Sequence, residues 1–234
     1  MRSVVEVRNL RFRYPDGVEA LRGVDFDLHE GETVALFGAN GSGKTSFLLH
    51  LVGLLRGEGD IRICGGDLSD DTLAEIRRKV GILFQDSDDQ LFMPSVEEDV
   101  AFGPLNQKLP DEEVETRVAD SLVAVHMDPF RDRAPHHLSA GQKRRVALAG
   151  VLAMRPEVIL LDEPATFLDP PARSDLIRIL SNLSQAKVLV THDVALARAL
   201  ASRAVFFKEG RIAAAGTVDE VVAAHDWDSA VPKR

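Results

Sequence analysis

Four short apolar runs punctuate the chain: TVALFG at 33–38, VGILFQ at 80–85, VILLDEP at 158–164 and KVLVTHD at 187–193. Each is too short for a buried helix, and each ends at Gly, Gln, Asp or His. A continuous apolar run closed by polar residues is the pattern of a strand covered on both faces, as in a parallel sheet. Helical spacing appears at 44–55, 142–154, 171–183 and 194–201. Strands and helices in alternation predict an α/β fold with a doubly wound sheet. Its chemistry is then expected at the carboxyl ends of the strands.

Two regions break this rhythm. Residues 3–31 alternate apolar and polar side chains, as VVEVRNLRFRY and then VDFDLHEGE. That period of two predicts an antiparallel lobe, which IRICGG at 61–66 would extend. Residues 86–150 hold few strand signals and several helical ones, which predicts a helical lobe inserted into a core made of 1–85 and 151–234. Within it, Pro110 followed by DEEVETRVADSLVAV marks a helix start whose first-turn acids oppose the helix dipole.

The length of 234 residues suits one large domain, or one domain with an inserted lobe. A formal net charge of -9 argues against a nucleic-acid partner, which requires clustered Lys and Arg. It leaves room for a nucleotide, because a phosphate site needs only a local positive field. The single cysteine, Cys64, can form neither an internal disulfide nor a cysteine cluster for zinc. A reducing compartment is expected, with Cys64 as a small buried apolar residue. The opening MRSVVEVRNL lacks the apolar stretch of a signal peptide, and no run approaches the roughly 18 apolar residues of a membrane span. The expectation is a soluble chain that reaches a membrane only through a partner.

The strongest motif is Gly38-Ala39-Asn40-Gly41-Ser42-Gly43-Lys44-Thr45, followed by Ser46, which matches GxxxxGK[ST] without a mismatch. It follows a predicted strand and opens a predicted helix, the context the motif requires. Its glycines let successive backbone N–H groups converge on phosphate oxygens, and the helix N-terminus adds its positive end. Lys44 is expected to reach the β- and γ-phosphates and Thr45 to ligate Mg²⁺. Asp162 and Glu163 close the run VILLDEP. Two acids at the end of an apolar strand are costly unless they face a cation or do chemistry. Asp162 is therefore assigned to Mg²⁺ and Glu163 to polarising the attacking water as general base. His192 ends the next run and is assigned to the γ-phosphate.

A second segment of small residues opens a helix far downstream, at HLSAGQKRRVALAG. Leu138-Ser139-Ala140-Gly141-Gln142 resembles LSGGQ, the signature of the ATP-binding-cassette (ABC) ATPases, and the order of motifs matches that family along nearly the whole chain. The resemblance implies a P-loop ATPase core, ATP with Mg²⁺, and head-to-tail pairing of two chains. In that pairing Ser139, Gly141 and Gln142 close over the nucleotide of the other copy. Ser139 is expected to cap a helix beginning near Gln142. The resemblance further implies that Tyr14 stacks on adenine, although an edge-strand Tyr reads the same way. It makes Gln85 a sensor of Mg²⁺ and water, and Asp169 a residue of the loop that links the two copies. Departures from the family pattern include Ala140, which stands for a signature Gly, and a loop that reads ATFLDP where TAGLDP is usual, with Phe167 in place of Gly.

GILFQDSDDQLFMPSVEEDVAFGPLN at 81–106 resembles the ATPases of energy-coupling-factor importers, which take up transition-metal ions such as cobalt and nickel, or vitamins. That resemblance implies a peripheral ATPase on the cytoplasmic face of the membrane. Its partners would be a transmembrane coupling subunit, a substrate-binding membrane subunit, and a second ATPase chain that is either identical or a paralogue. Asp86, Asp88, Asp89, Glu97, Glu98 and Asp99 predict an acidic docking groove, with Phe92, Met93 and Phe102 either lining it or packed in the core. The short tail after Gly210 predicts dimerisation that depends on ATP. A soluble ABC ATPase acting on nucleic acid is the competing class, but such chains carry two cassettes or long coiled-coil insertions. A P-loop GTPase would leave LSAGQ unexplained and would need an NKxD-type motif, which is absent.

Overall fold

A computed structural model describes residues 2–227; the last seven residues of the tail lie outside the described part. The two alternating segments at the N-terminus form long strands, β1 (Ser3–Arg13) and β2 (Glu19–His29). With β4 (Glu58–Ile63) and β5 (Gly66–Asp67) they make a four-stranded antiparallel sheet in the order β2-β1-β4-β5. The antiparallel lobe predicted from the period of two is present.

The four apolar runs form adjacent strands of a second sheet: β3 (Thr33–Phe37), β6 (Val80–Leu83), β7 (Val158–Asp162) and β8 (Ala186–Val190). All five residues of β3, β7 and β8 are buried, which is why no alternation was visible in them. The sheet order is β10-β9-β3-β8-β7-β6, and β3, β8, β7 and β6 pair in parallel. Phosphate loop, His192, acidic pair and Gln85 therefore follow the carboxyl ends of four neighbouring strands. At roughly 4.8 Å between strands, all of them fall within reach of one triphosphate. β9 (Arg203–Lys208) and β10 (Arg211–Gly216) complete the sheet; no sequence signal was assigned to either.

The helices are α1 (Lys44–Leu51), α2 (Leu73–Lys79), α3 (Val96–Asn106), α4 (Asp111–Ala124), α5 (Ala140–Ala153), α6 (Pro170–Ser181), α7 (Val194–Leu200) and α8 (Val218–Ala224). Two differences from the sequence reading have clear causes. α1 stops at Leu51 rather than reaching 55, because the chain turns at Gly53, whose φ of 63° lies in the left-handed region. α5 begins at Ala140 rather than at Gln142, because Ser139 caps it. α3, α4 and α5 pack together as the helical lobe, and α5 runs on through residue 150 to lie against β6.

Three apolar clusters hold these layers. One joins the antiparallel sheet to α1 and one face of the large sheet through Val7, Phe26, Phe47 and Phe207. A second covers the other face with Leu122, Leu148, Leu161 and Leu189 from the helical lobe and its neighbours. The third packs Phe37 and Ala204 against α7 and α8. Cys64 is buried as expected, and burial next to Glu157 pushes its thiol pKa up to about 12.

Candidate active site

β3 delivers the chain into a turn that only glycine permits. Gly38 has φ 141° and a Cβ there would lie 2.8 Å from Ser42 Oγ and collide with the carbonyl of Phe207. Gly43 has φ 107° and a Cβ would lie 2.5 Å from the carbonyl oxygen of Ala20. The backbone can thus curl tightly while α1 starts at Lys44 with its free N–H groups facing the turn. Ser42 Oγ is buried with no hydrogen-bond partner, an unused donor in the cradle. Lys44 Nζ donates to the carbonyls of Gly38 at 2.6 Å and Ala39 at 3.0 Å. Burial holds its pKa below the usual lysine value, while Glu163 and Asp162 pull it back up.

Thr45 Oγ1 donates to Asp162 Oδ2 at 3.1 Å, joining residues 117 positions apart. Asp162 is buried, and desolvation raises its carboxyl pKa against the lowering effect of Thr45. A hydroxyl beside a poorly solvated carboxylate is a hard-oxygen pair of the kind Mg²⁺ selects. Next to it Glu163 adopts φ 46°, a strained backbone for a non-glycine residue, and its N–H donates to the carbonyl of Val190. Its Oε2 lies 2.9 Å from His192 Nδ1 and accepts from Thr166 Oγ1 at 3.4 Å. The side chain of Glu163 is mostly buried, whereas that of His192 stands open to solvent.

A cavity of about 370 Å³ gathers Lys44, Thr45, Asp162 and Glu163, while Gly38, Ser42 and His192 are not among its lining residues. Asn40, Gly41, Gly43, Lys44, Thr45 and Ser46 form its floor. Gln85, Asp162 and Glu163 form one wall and Tyr14 the rim. Tyr14 is held there by its hydroxyl, 3.0 Å from Ser46 Oγ, and by an edge contact with Phe12.

Ser139, Gly141, Gln142 and Asp169 do not line this cavity. Ser139 caps α5 in a reciprocal box: its Oγ accepts from Gln142 N at 3.3 Å, and Gln142 Oε1 accepts from Ser139 N at 2.9 Å. The Gln142 side chain is therefore committed to the cap. Gly141 lets α5 approach α6 closely, since a Cβ would lie 2.7 Å from that of Ala172. Asp169 caps α6 by accepting from Ala172 N at 2.8 Å. Ala140 sits in the first turn of α5 with no positive φ, so alanine fits in place of glycine there.

Sequence reasoning missed Arg144. It is buried and donates to the carbonyl of Phe84 at 2.5 Å and to that of Gln85, tying α5 to the loop that carries Gln85. No carboxylate forms an ion pair with it among the described residues, and burial lowers its pKa. The available signal was spacing: Arg144, Ala147, Leu148 and Val151 share the buried stripe of α5. Arg144→Ala leaves two carbonyls unsatisfied and is expected to destabilise the fold by about 2–4 kcal/mol in denaturant unfolding.

A separate groove of about 450 Å³ runs between β6, α3 and α5. Its lining is mostly apolar, with Asp89, Asp99 and Arg77 among it. Phe92 and Phe102, 62% and 44% exposed, meet edge to face with ring centroids 4.9 Å apart on its wall, beside Leu54, Phe84 and Met154. Of the six acids expected there, Asp89 and Asp99 line the groove and the other four do not. Asp99 is buried and accepts from the N–H groups of Phe92 and Met93, both at 3.0 Å. Glu97 pairs with Arg131 at 2.5 Å and Asp88 with Lys143 at 2.6 Å.

Residues 21–166 match the family model described as ABC transporter. The chain belongs to the ABC transporter ATPases. It is 50% identical over 224 residues to the energy-coupling factor transporter ATP-binding protein EcfA of Methanothermobacter thermautotrophicus, covering 93% of this chain and 72% of that protein. EcfA of Methanocaldococcus jannaschii is 48% identical, with 93% and 80% covered. The structure of CbiO1 from Clostridium perfringens, part of the transporter complex CbiONQ, superposes with a TM-score of 0.87 at 35% identity, covering 100% of this chain and 96% of that one. A dimeric ATP-binding cassette, MJ0796 with ADP and phosphate bound, gives 0.81 at 31% identity over 92% of this chain and 98% of its own. The chain is thus an ABC ATPase with the P-loop NTPase fold, an ATP-binding subunit of the EcfA and CbiO type. No helix among the described residues is long and apolar enough to cross a membrane.

Proposed function

We propose that this ABC ATPase energises an energy-coupling-factor importer of a transition-metal ion, cobalt or nickel, or of a vitamin. It would sit on the cytoplasmic face of the membrane and act by closing as a pair of ATPase chains, identical or paralogous. The observation that carries the reading is the pairing of a phosphate cavity with an apolar groove across one shared segment. Phe84 and Gln85 are consecutive, and the first lines the groove while the second lines the cavity. A helix of a transmembrane coupling subunit seated on Phe92 and Phe102 would therefore touch the segment that senses nucleotide.

The site residues take these roles. Lys44 and the N–H groups of Gly41 and Gly43 bind the phosphates, and Tyr14 offers a face to the adenine. Thr45 and Asp162 would hold Mg²⁺, with Gln85 completing the set; the bound ion neutralises charge on the triphosphate. Glu163 takes the proton of the attacking water, and His192, whose Nδ1 lies 2.9 Å from Glu163 Oε2, reaches the γ-phosphate from the open side. Ser139 and Gly141, presented at the start of α5, meet the nucleotide of the second copy, as does Asp169 at the start of α6. Hydrolysis removes the bridging phosphate and loosens the pair, which converts binding energy into motion of the membrane partner.

Purification of the tagged chain from its native membrane, with identification of the proteins that accompany it, tests this reading. The expected companions are a coupling subunit and a small substrate-binding membrane protein. Replacing Phe92 and Phe102 by Asp is expected to remove both companions while isolated ATPase activity stays. Reversing Glu97 and Glu98 is expected to have the smaller effect, because neither lines the groove. Recovery of ribosomal or nucleic-acid partners in place of membrane proteins would refute the proposal.

A further inference from the structure

We infer that His50 is a positioning residue for the base end of the nucleotide: its ring backs Phe12, and Phe12 holds Tyr14 at the rim of the phosphate cavity. This rests on the assignment of Tyr14 to adenine proposed above. His50 lies in the last turn of α1 and is wholly buried. No step of the hydrolysis uses it.

A buried imidazole is costly unless its nitrogens find partners, and here only one does. Nδ1 lies 2.7 Å from the Ser46 carbonyl oxygen, which can only accept, so Nδ1 carries the proton and donates. Nε2 is then a bare acceptor, buried with no hydrogen-bond partner. Burial holds the pKa of the ring below the usual histidine value against the raising effect of the Ser46 carbonyl, and Arg56 lowers it further. The ring is therefore neutral at neutral pH. A leucine of similar volume would fill the site without an orphaned nitrogen, so filling space does not account for a histidine there.

What histidine supplies is a flat ring in a fixed orientation. The bond from Nδ1 sets its plane, and the ring meets Phe12 edge to face, with centroids 4.7 Å apart and planes at 71°. Phe12, near the end of β1, meets Tyr14 in the same way, at 4.8 Å and 78°. The Tyr14 hydroxyl returns to α1 at Ser46 Oγ, 3.0 Å away. His50, Phe12, Tyr14 and Ser46 thus form a closed circuit of four contacts. Ser46 follows Lys44 and Thr45, so the circuit ties the rim of the cavity to the helix that carries the phosphate contacts. The turn at 15–18 is exposed. Its bonds from Tyr14 N to the Val18 carbonyl and from Gly17 N to the Tyr14 carbonyl fix the backbone there, but not the direction of the tyrosine ring.

The test separates the base from the phosphates. His50→Leu keeps the bulk and removes the ring, and Phe12→Leu breaks the circuit one step nearer the base. Calorimetric titration with ADP and Mg²⁺ is expected to show binding weakened about three- to tenfold in each variant, the scale of one lost aromatic pair. Inorganic pyrophosphate with Mg²⁺, which has no base, is expected to bind each variant within about twofold of the parent. In the Tyr14→Ala background neither substitution is expected to weaken ADP further, because the ring they position is gone. His50→Gln, whose amide can keep a bond to Ser46 but has no ring, takes the place of the leucine variant if that one does not fold. Equal weakening of ADP and pyrophosphate would show a loosened phosphate loop and would overturn the inference, as would parent-like ADP binding by either variant. If Tyr14→Ala itself binds ADP like the parent, the adenine assignment falls and the inference falls with it.

Discussion

Glu163→Gln is expected to slow steady-state ATP hydrolysis by about 10²–10⁴-fold while leaving ATP binding intact. The amide keeps the size and the hydrogen-bonding reach of the carboxylate, so the contact 2.9 Å from His192 Nδ1 and the strained backbone at φ 46° both persist. What it loses is the capacity to accept the proton of the attacking water. The γ-phosphate then stays in place, and with it the bridge between two copies, so the variant is expected to accumulate as an ATP-loaded pair visible by size-exclusion chromatography. Single-turnover hydrolysis read beside nucleotide binding separates the two effects. A turnover within about threefold of the parent would remove Glu163 from the role of base, since loss of a transition-state interaction must show in kcat.

Lys44→Ala is expected to weaken ATP binding by roughly 10²–10³-fold. The ammonium is the one cation of the phosphate loop, and a hydrogen bond to a charged group is worth about 1.5–3 kcal/mol for each phosphate it meets. In this structure Nζ bridges the carbonyls of Gly38 and Ala39, so it already sits in the loop at the height where phosphates would lie. Its substitution removes few other contacts, and the fold should stand. The check is titration with a fluorescent ATP analogue together with thermal unfolding. The parent should gain stability with saturating nucleotide and the variant should gain almost none. A variant that binds ATP normally would show that the backbone N–H groups alone carry the affinity.

The chemistry of this chain was legible in its sequence because its motifs are contiguous and their geometry is local. GANGSGKT fixes a turn and a helix start by itself, and a continuous apolar run closed by Asp162 and Glu163 announces both a buried strand and its reactive end. The antiparallel lobe was visible for the same reason, since a period of two reports one covered face. Elements whose form depends on distant partners were not legible. β9 and β10 are strands because β3 pairs with β9, and nothing in RAVFFK distinguishes that from a short buried loop. The acids at 86–99 suggested a charged groove, and Asp89 and Asp99 do line it, yet Glu97 is paired with Arg131 at a separation of 34 residues and Asp88 with Lys143 at 55.

The sequence by itself determined the fold class, the phosphate loop, the acidic pair and the family, because each rests on residues that are neighbours in the chain. Only the tertiary structure decided that Arg144 holds the Gln85 loop, that the groove between β6, α3 and α5 is mostly apolar, and that Phe167 is left exposed in a strained turn. These properties arise from which groups meet across the fold and which side chains find no partner. Such pairings are fixed by packing and cannot be read from the order of residues.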